Sequence, residues 1–270
     1  MNRFDAPTEK SLNDVIDALH RLSENTDTDV YLNLIPSSAA IWADRLPNNA
    51  NTADQLSLIR RLYASCGVNT IDCYSALSAH SNEAIFYRTD HHWTTLGAYY
   101  AYAAAIKALG GTPTPLSDFL PETVSDEFYG TIYSSSGVRW LPPDSIQRFV
   151  PADGVSVTKY EGTEELDTAV YHTEQLSRKD KYSYFFGGNT PRMVIHTGNA
   201  GGKLLLVRDS YSDCELPFFF AHYSEIHVLD LRYYRQSLSD YIASDNFEAV
   251  LVNYGLSNFV SDSSVFLLGC

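Results

Sequence analysis

Four consecutive residues, Asp90, His91, His92 and Trp93, place an acid, two imidazoles and an indole side by side. A helical pattern follows them, because apolar residues recur at three- and four-residue spacing from Leu96 until a pair of glycines. We therefore expect the four residues in the turn that enters a helix, where free N–H groups and the helix dipole favour a carboxylate. An Asp placed there can orient a neighbouring imidazole and stabilise its protonated form, as a histidine general base requires.

A candidate nucleophile, Ser210, follows the near-continuous apolar run from Lys203 to Arg208. Such a run is typical of a parallel strand buried on both faces, and ligands bind at the carboxyl ends of such strands. Ser210 could simply cap the following helix. Its presence in one chain with Asp90 and His92 instead favours a triad in which Ser210 attacks, His92 takes the proton and Asp90 orients His92.

Several other polar or aromatic residues could form an oxyanion hole or line the substrate site. Asn253 ends a predicted strand and Asn189 follows two glycines, so either could donate an amide N–H to an oxyanion or belong to a turn. Trp93 could form a wall for a sugar ring, with core packing as the alternative. Asp230 and Arg232 end another strand, where an ion pair is expected. The secondary candidates are Asn253, Asn189, Tyr211, His91, Trp93 and Arg232.

The composition excludes some classes of partner. The 270 residues are 44% hydrophobic, enough for a full core, and carry a net charge of −14, which argues against nucleic acid or an anionic membrane surface. The 19 tyrosines fit either core packing or a carbohydrate-facing surface. The four cysteines match no zinc spacing; Cys66 and Cys73 could form a disulfide or remain buried free thiols.

The order of predicted elements indicates a parallel sheet covered by helices. Its first half is a helix, a strand, a helix, a strand and the helix after Trp93, and its second half has three apolar strands. Between them lies a region rich in short alternating runs and turn signals, which we predict to be a β-rich insertion over the sheet. The predicted helices are Ser11–Leu22 and Thr52–Tyr63, and the predicted strands are Asp29–Ile35, Val68–Tyr74, Lys203–Arg208, Glu225–Leu231 and Glu248–Tyr254. We expect one domain, with sheet halves at about 1–111 and 198–270 and the insertion at about 112–197.

From about residue 29 onward the chain resembles the bacterial DHHW family, relatives of the SGNH hydrolase-like proteins that include the alginate O-acetyltransferases. The motif Asp90–Trp93 carries the resemblance, with further blocks at Lys179–Tyr182, Phe186–Asn189, Asp209–Tyr211, Pro217–Phe218 and Asp230–Tyr234. In the acetyltransferase relatives the motif is Asp-x-His-Trp, followed later in the chain by a serine nucleophile. The resemblance therefore implies that Asp90 and His92 belong to the triad and that Ser210 is its serine. Ordinary esterases of this class have Gly before the Asp-Ser pair, whereas this chain has Arg208 before Asp209, and it also lacks a Gly-x-Asn-Asp block. The resemblance therefore does not identify the residues of the oxyanion hole.

This resemblance implies an SGNH-like three-layer α/β/α parallel sheet with a β-rich insertion between its halves. It implies hydrolysis or transfer of acyl esters, most plausibly acetyl groups, on a cell-surface or secreted polysaccharide, without a metal or organic cofactor. The partners would be the carbohydrate or acyl-ester substrate and an export or acyl-donor membrane protein. Met1–Asp5 is not a signal peptide, so the residues themselves leave open a cytosolic protein or a trimmed start. The resemblance implies a protein outside the cytoplasmic membrane behind an N-terminal anchor that is absent from this chain.

Two alternatives remain at this point. The same fold could be a non-catalytic extracellular module that binds glycan or acts as a scaffold. Asp90, His91 and His92, with His80, could instead serve a metal-dependent hydrolase. Adjacent histidines seldom point at one ion, however, and no H-E-x-x-H motif is present.

Overall fold

An eight-stranded, mostly parallel sheet organises the chain in the computed structural model, which describes residues 3–270. The strands are β1 Val30–Ile35, β2 Asn69–Ile71, β3 Glu122–Phe128, β4 Asp144–Arg148, β5 Ser156–Glu161, β6 Glu164–Thr168, β7 Arg192–His196, β8 Lys203–Arg208, β9 Glu225–Leu229 and β10 Phe247–Gly255. The helices are α1 Glu9–Glu24, α2 Ser38–Ile41, α3 Gln55–Ser65, α4 Cys73–Ser78, α5 Thr95–Ala108, α6 Thr131–Ser136, α7 Leu238–Ala243 and α8 Leu256–Ser261. Short 3-10 helices occupy Ala43–Arg45, Leu116–Asp118, Thr173–Ser177, Lys181–Tyr184, Ser210–Asp213, Leu216–Ala221 and Ser263–Gly269.

The strand order is β2-β1-β10-β8-β9-β7-β5-β6, and the strands from β2 to β9 in this order are parallel. Side chains on β8 alternate between two cores: Leu204 and Leu206 face one, whereas Leu205 and Val207 face the other. Helices α4 and α5 cover the first face, and α1, α3 and α8 cover the second. The near-continuous apolar run in β8 thus has its expected cause, since both faces of the strand are buried. The predicted α/β/α fold class is confirmed.

The insertion differs from the prediction in its placement. Strands β5 to β7 do not lie over the sheet; they extend it antiparallel from the edge of β9. Met193 and Ile195 of β7 alternate into the core, and pairing with β7 satisfies the backbone groups that β9 would otherwise leave open at an edge. Strands β3 and β4 form a separate two-stranded sheet.

The predicted element bounds agree with the structure within three residues, and the largest differences are at the start of α3 and the end of β2. The predicted strand Val68–Tyr74 ends at Ile71, because the Asp72 carboxylate accepts the Ser75 N–H at 2.9 Å and caps α4. Cys66 and Cys73 are buried free thiols, so the structure shows no disulfide between them. Among residues 3–270, the helices are too short or too polar to cross a membrane.

Candidate active site

The loop before α5 is held in place at both of its ends. The Thr94 hydroxyl accepts the Gly97 N–H at 3.3 Å and caps α5. The Tyr87 N–H donates to the His92 carbonyl at 3.2 Å, which closes the loop. The fully buried Trp93 indole donates to the Tyr211 carbonyl at 2.8 Å and ties this loop to the segment that carries Ser210.

This connection brings the neighbouring residues Asp90 and His92 to Ser210, which lies 118 residues after His92 in the sequence. His92 Nδ1 lies 2.6 Å from Asp90 Oδ1, and His92 Nε2 lies 2.8 Å from Ser210 Oγ. Asp90 and His92 are buried, whereas Ser210 is half-buried. These contacts suit a serine hydroxyl that donates to Nε2 while Nδ1–H donates to the carboxylate.

Ser210 lies in the turn after β8, and the buried side chain of Asp209 holds this turn in place. The Asp209 carboxylate accepts N–H groups of Tyr211 and Gly255 at 3.0 Å each and the Asn258 amide at 2.7 Å. Burial raises the pKa of Asp209, and these hydrogen bonds oppose that rise. Asp209 therefore fixes the Ser210 turn against β10 and α8.

The insertion completes the surroundings of Asp90. Asp90 Oδ2 accepts the Thr131 N–H at 2.7 Å and the Thr131 hydroxyl at 3.0 Å. A Cβ on Gly130 would lie 2.2 Å from Asp90 Oδ2, so only glycine fits beside the carboxylate. Burial would raise the pKa of Asp90, but the hydrogen bond and charge of His92, with His91 and the Thr131 N–H, lower it well below the usual range. Asp90 is thus an anion that His92 and the start of α6 hold on both sides.

A tyrosine from the insertion packs directly on the imidazole. The Tyr182 and His92 rings are parallel within 9° with centroids 3.9 Å apart. The Tyr182 hydroxyl donates to the Ser210 carbonyl at 3.2 Å and also lies 3.3 Å from Cys214 Sγ. One buried side chain therefore contacts both the predicted base and the segment that carries the predicted nucleophile.

Ser210 and His92 open into a pocket of about 610 Å³ between the sheet and the insertion. Asn189 lies on its wall, and its Oδ1 accepts Arg208 Nη1 at 3.1 Å and Arg232 Nη2 at 3.3 Å. Because two guanidinium groups hold Oδ1, the amide nitrogen of Asn189 is the atom left for a ligand. Arg232 is also paired with Asp230 at 2.6 Å, as expected from the sequence.

The model of the DHHW protein family matches residues 12–229, which include Asp90, His92 and Ser210. This chain belongs to the DHHW family. The recognition made from the motif is confirmed, and no curated protein sequence matches the chain.

Solved structures with the same fold include another DHHW family protein, the protein PatB1 and the O-acetyltransferase domain of AlgJ. A DHHW family protein from Eubacterium siraeum has a TM-score of 0.86 and 26% identity, covering 99% of this chain and 90% of that one. Bacillus cereus PatB1, solved with a sulfonyl adduct, has a TM-score of 0.80 and 21% identity, covering 98% and 93%. The O-acetyltransferase domain of Pseudomonas putida AlgJ has a TM-score of 0.57 and 16% identity, covering 98% and 93%.

Not every secondary candidate of this DHHW chain reaches the pocket. Asn253 is fully buried, and its amide nitrogen donates to Ser212 Oγ at 2.9 Å and to Glu215 Oε2 at 2.5 Å. Its Oδ1 accepts from Asn33 at 2.8 Å. The expected position at the end of a strand is correct, but the oxyanion role assigned to Asn253 does not fit, because both amide hydrogens bond within the core.

The two aromatic candidates have structural contacts. Trp93 is a core indole, as the alternative interpretation held, and not a wall for a sugar ring. Tyr211 is buried, and its hydroxyl donates to the His91 carbonyl at 2.5 Å. Tyr211 thereby ties the loop that carries His91 and His92 to the segment after β8.

Sequence reasoning missed four residues that shape the site: Gly130, Thr131, Tyr182 and Asp213. The sequence marks Tyr182 only as the end of the block Lys179–Tyr182, and Gly130 lies in a region that is simply rich in turn signals. Asp213, three residues after Ser210, lies on the pocket wall, and its carboxylate is 3.1 Å from the guanidinium of the fully buried Arg208. Burial raises the pKa of Asp213 to about 6 despite that cation. The signal in the sequence that could have pointed to Asp213 is its position three residues after Ser210.

The residues of the metal alternative lie close together in the structure. Ligand atoms of Asp90, His91 and His92 are within 4.8 Å of one another. In the observed arrangement the Nδ1 atoms of the two histidines engage Thr131 and Asp90 in hydrogen bonds. His80 pairs with Glu83 at 2.7 Å instead. The geometry therefore fits a hydrogen-bonded triad better than a chelate.

Proposed function

We propose that this protein is a serine acyl-ester hydrolase or O-acetyltransferase that acts on a cell-surface or secreted polysaccharide. One observation carries the proposal: Ser210 Oγ, His92 and Asp90 form a continuous chain with contacts of 2.8 and 2.6 Å at the bottom of a pocket. This chain has the geometry of nucleophile, base and orienting acid. The overall likeness to an O-acetyltransferase domain supports the reaction class.

In the first half of the reaction Ser210 Oγ attacks the acyl carbonyl and transfers its proton to His92 Nε2. The tetrahedral intermediate then expels the donor's leaving group, which takes that proton from His92. In the second half an acceptor hydroxyl, or water, gives its proton to His92 and attacks the acyl-enzyme. Ser210 recovers its proton as it leaves, and Asp90 keeps its charge throughout beside the imidazolium.

The negative charge that develops on the carbonyl oxygen needs donors close to Ser210. We assign this role to two N–H donors, the side-chain amide of Asn189 and the backbone N–H of Ser210. Asn189 is oriented by Arg208 and Arg232, and among residues 3–270 the Ser210 N–H has no hydrogen-bond acceptor. Asn189→Ala is therefore expected to lower kcat more than it changes KM, because the contact forms mainly in the transition state.

The substrate class, partners and location of the protein rest on the family resemblance. DHHW membership and the AlgJ likeness support a polysaccharide acceptor, an acyl-donor or export protein in the membrane, and a place outside the cytoplasmic membrane with an N-terminal anchor. The chemistry above uses only side chains and backbone groups of this chain. No step in it requires a metal or an organic cofactor.

The test compares wild-type protein with Ser210→Ala on 4-nitrophenyl acetate and with phenylmethylsulfonyl fluoride. We expect acetate release and one sulfonyl adduct by intact-protein mass spectrometry in the wild type, and neither in the variant. Ser212→Ala is the matched control, because Ser212 is a buried serine two residues away that bonds Asn253. Labelling that persists in Ser210→Ala would show that another side chain is the nucleophile, and no acyl chemistry in the wild type would favour the glycan-binding module instead.

A further inference from the structure

His91 stands beside the triad and has no place in the proposed Ser210–His92–Asp90 chemistry. Its ring centroid lies 3.8 Å from that of His92, and its side chain is 32% exposed. It borders both the catalytic pocket and a second cavity of about 120 Å³ whose lining includes Ser37 and Asn258. A ligand in the catalytic pocket could therefore reach His91 without any rearrangement of the fold.

The hydrogen bonds around Thr131 determine which nitrogen of His91 carries its proton. The Thr131 hydroxyl lies 3.0 Å from Asp90 Oδ2 and 2.7 Å from His91 Nδ1. A hydroxyl has one hydrogen, and Asp90 is an anion that can only accept, so that hydrogen points at Asp90. His91 Nδ1 must then be the donor to Thr131 Oγ1.

A second contact supports the same tautomer. His91 Nδ1 is also 3.5 Å from Asp90 Oδ1, a position that favours an N–H over a lone pair. Burial lowers the pKa of His91 to about 4, with the charge of His92 acting in the same direction. At neutral pH the ring is therefore neutral, with its proton on Nδ1 and a lone pair on Nε2.

Among residues 3–270, His91 Nε2 has no hydrogen-bond partner. A lone pair cannot stabilise an oxyanion, which needs donors, so His91 cannot act with Asn189 in the proposed oxyanion hole. It can accept from a ligand O–H or N–H. The site thus has two neighbouring imidazole acceptors, His92 Nε2 for the attacking hydroxyl and His91 Nε2 for a second donor nearby.

We propose that His91 Nε2 accepts a hydrogen bond from a second hydroxyl on the carbon next to the attacking hydroxyl, so that the site selects a vicinal diol of a sugar as acyl acceptor. This inference rests on the proposed function, because it concerns the second half of that reaction. Hydroxyls on adjacent carbons lie about a hydrogen-bond length apart. The His91 and His92 rings, with centroids 3.8 Å apart, both line the pocket while their Nδ1 atoms bond Thr131 and Asp90, which leaves Nε2 of each ring for one of the two hydroxyls.

The experiment measures how the acetyl-enzyme partitions between water and an added alcohol. The donor is 4-nitrophenyl acetate, and the two acceptors are ethane-1,2-diol and 2-methoxyethanol, which differ in whether the second oxygen can donate. The wild type should transfer to the diol about tenfold better than to the ether, which corresponds to one hydrogen bond. His91→Phe, which keeps a flat ring but no acceptor, should lose that preference, measured as the ratio of the two transfer products so that any change in the overall rate of acetyl-enzyme formation cancels.

Two further variants keep the result interpretable. His91→Gln retains an acceptor oxygen and should recover part of the preference, and His196→Phe is a control at a side chain 57% exposed on β7. Equal transfer to both acceptors by the wild type, or a preference retained in His91→Phe, would overturn the inference and leave the serine chemistry intact. A loss of nitrophenol release in His91→Phe as large as in Ser210→Ala would also overturn it. Failure of the proposed function is distinct, since the wild type would then form no acetyl-enzyme.

Discussion

Two clusters of acid and histidine lie at opposite ends of the same parallel strands. At the carboxyl end of β8, Asp90 and His92 meet Ser210. At the amino ends of β8 and β9, His227 contacts Glu225 and lies 3.9 Å from Asp245. Both clusters contain an acid hydrogen-bonded to an imidazole and both bring together possible metal ligands. Sequence composition alone does not distinguish them.

The difference lies in what the second nitrogen of each histidine contacts. His227 Nδ1 lies 2.7 Å from the Tyr241 hydroxyl, so with Glu225 at Nε2 both ring nitrogens have structural partners. The Lys203 ammonium lies 2.7 Å from Asp245 and 3.2 Å from Glu225, which compensates both carboxylates. At the other end, a serine hydroxyl at a pocket occupies His92 Nε2. An acid–histidine pair thus becomes a candidate site only where a nucleophile and a cavity meet its free nitrogen.

Exchanging one histidine in each cluster gives the largest expected contrast. His92→Gln should lower kcat/KM on 4-nitrophenyl acetate by about a thousandfold or more, because the base is lost. His227→Gln should change kcat/KM by less than about threefold, since His227 touches no reacting atom, but should cost about 1–3 kcal/mol of stability. Initial rates and urea unfolding of both variants measure the contrast. Similar rate losses in the two would contradict the assignment of the catalytic end.

Gly130→Ala should have the second largest effect on rate without removing any functional group. The new Cβ would lie 2.2 Å from Asp90 Oδ2 and 2.3 Å from Asp90 Cβ, so the carboxylate must move. A displacement of this size should lower kcat by about a hundredfold. Gly137→Ala, at the other end of α6, is the matched control: its φ of 72° makes alanine strained, but nothing lies within 4 Å. It should reduce stability by about 1 kcal/mol and leave kcat unchanged.

Tyr182 tests how much the insertion contributes to positioning His92 and Ser210. Tyr182→Phe keeps the stacked ring and loses the bond to the Ser210 carbonyl, which should lower kcat by about fivefold. Tyr182→Leu also loses the stack and should lower kcat by about tenfold further and shift the pH–rate profile. Tyr171→Phe removes a comparable hydroxyl-to-carbonyl bond, at Val150, outside the pocket. A rate loss in Tyr171→Phe equal to that in Tyr182→Phe would mean that the effect is general destabilisation.

The candidate site could be located from the sequence because its main residues carry local signals. The motif before α5 and the serine after an apolar strand are both readable from spacing, and parallel strands bring their carboxyl ends together. The α/β/α class follows from the same periodicity. The structure brings Ser210, His92 and Asp90 together as that reasoning expected.

The parts that escaped prediction depend on long-range contacts. Gly130, Thr131 and Tyr182 come from the insertion, whose short strands carry no signal for which sheet edge they join. Whether Asn253 at the end of β10 faces the pocket or the core depends on its neighbours across the sheet, Arg208 and Asn33, and not on local pattern. The direction of the hydrogen bonds at Thr131 likewise depends on contacts with Asp90 and His91 that form only in the folded protein.

Glu215 provides the smallest effect on rate and the sharpest one on stability. It is fully buried near the site but faces no histidine, and Asn253 is its hydrogen-bond donor. Burial raises the pKa of Glu215 from 4.5 to about 8, although the Asn253 bond opposes the rise. Between these pH values the folded protein keeps a proton on Glu215 that the unfolded chain has released, so the contribution of Glu215 to stability falls as pH rises from about 5 to 8. Glu215→Gln, which resembles the protonated acid, should flatten this fall by a few kcal/mol in urea unfolding at pH 5 and pH 8.

Glu248→Gln, an exposed exchange on β10, should leave the pH dependence of stability unchanged. An equal pH slope in Glu215→Gln and wild type would show that Glu215 is ionised in the fold.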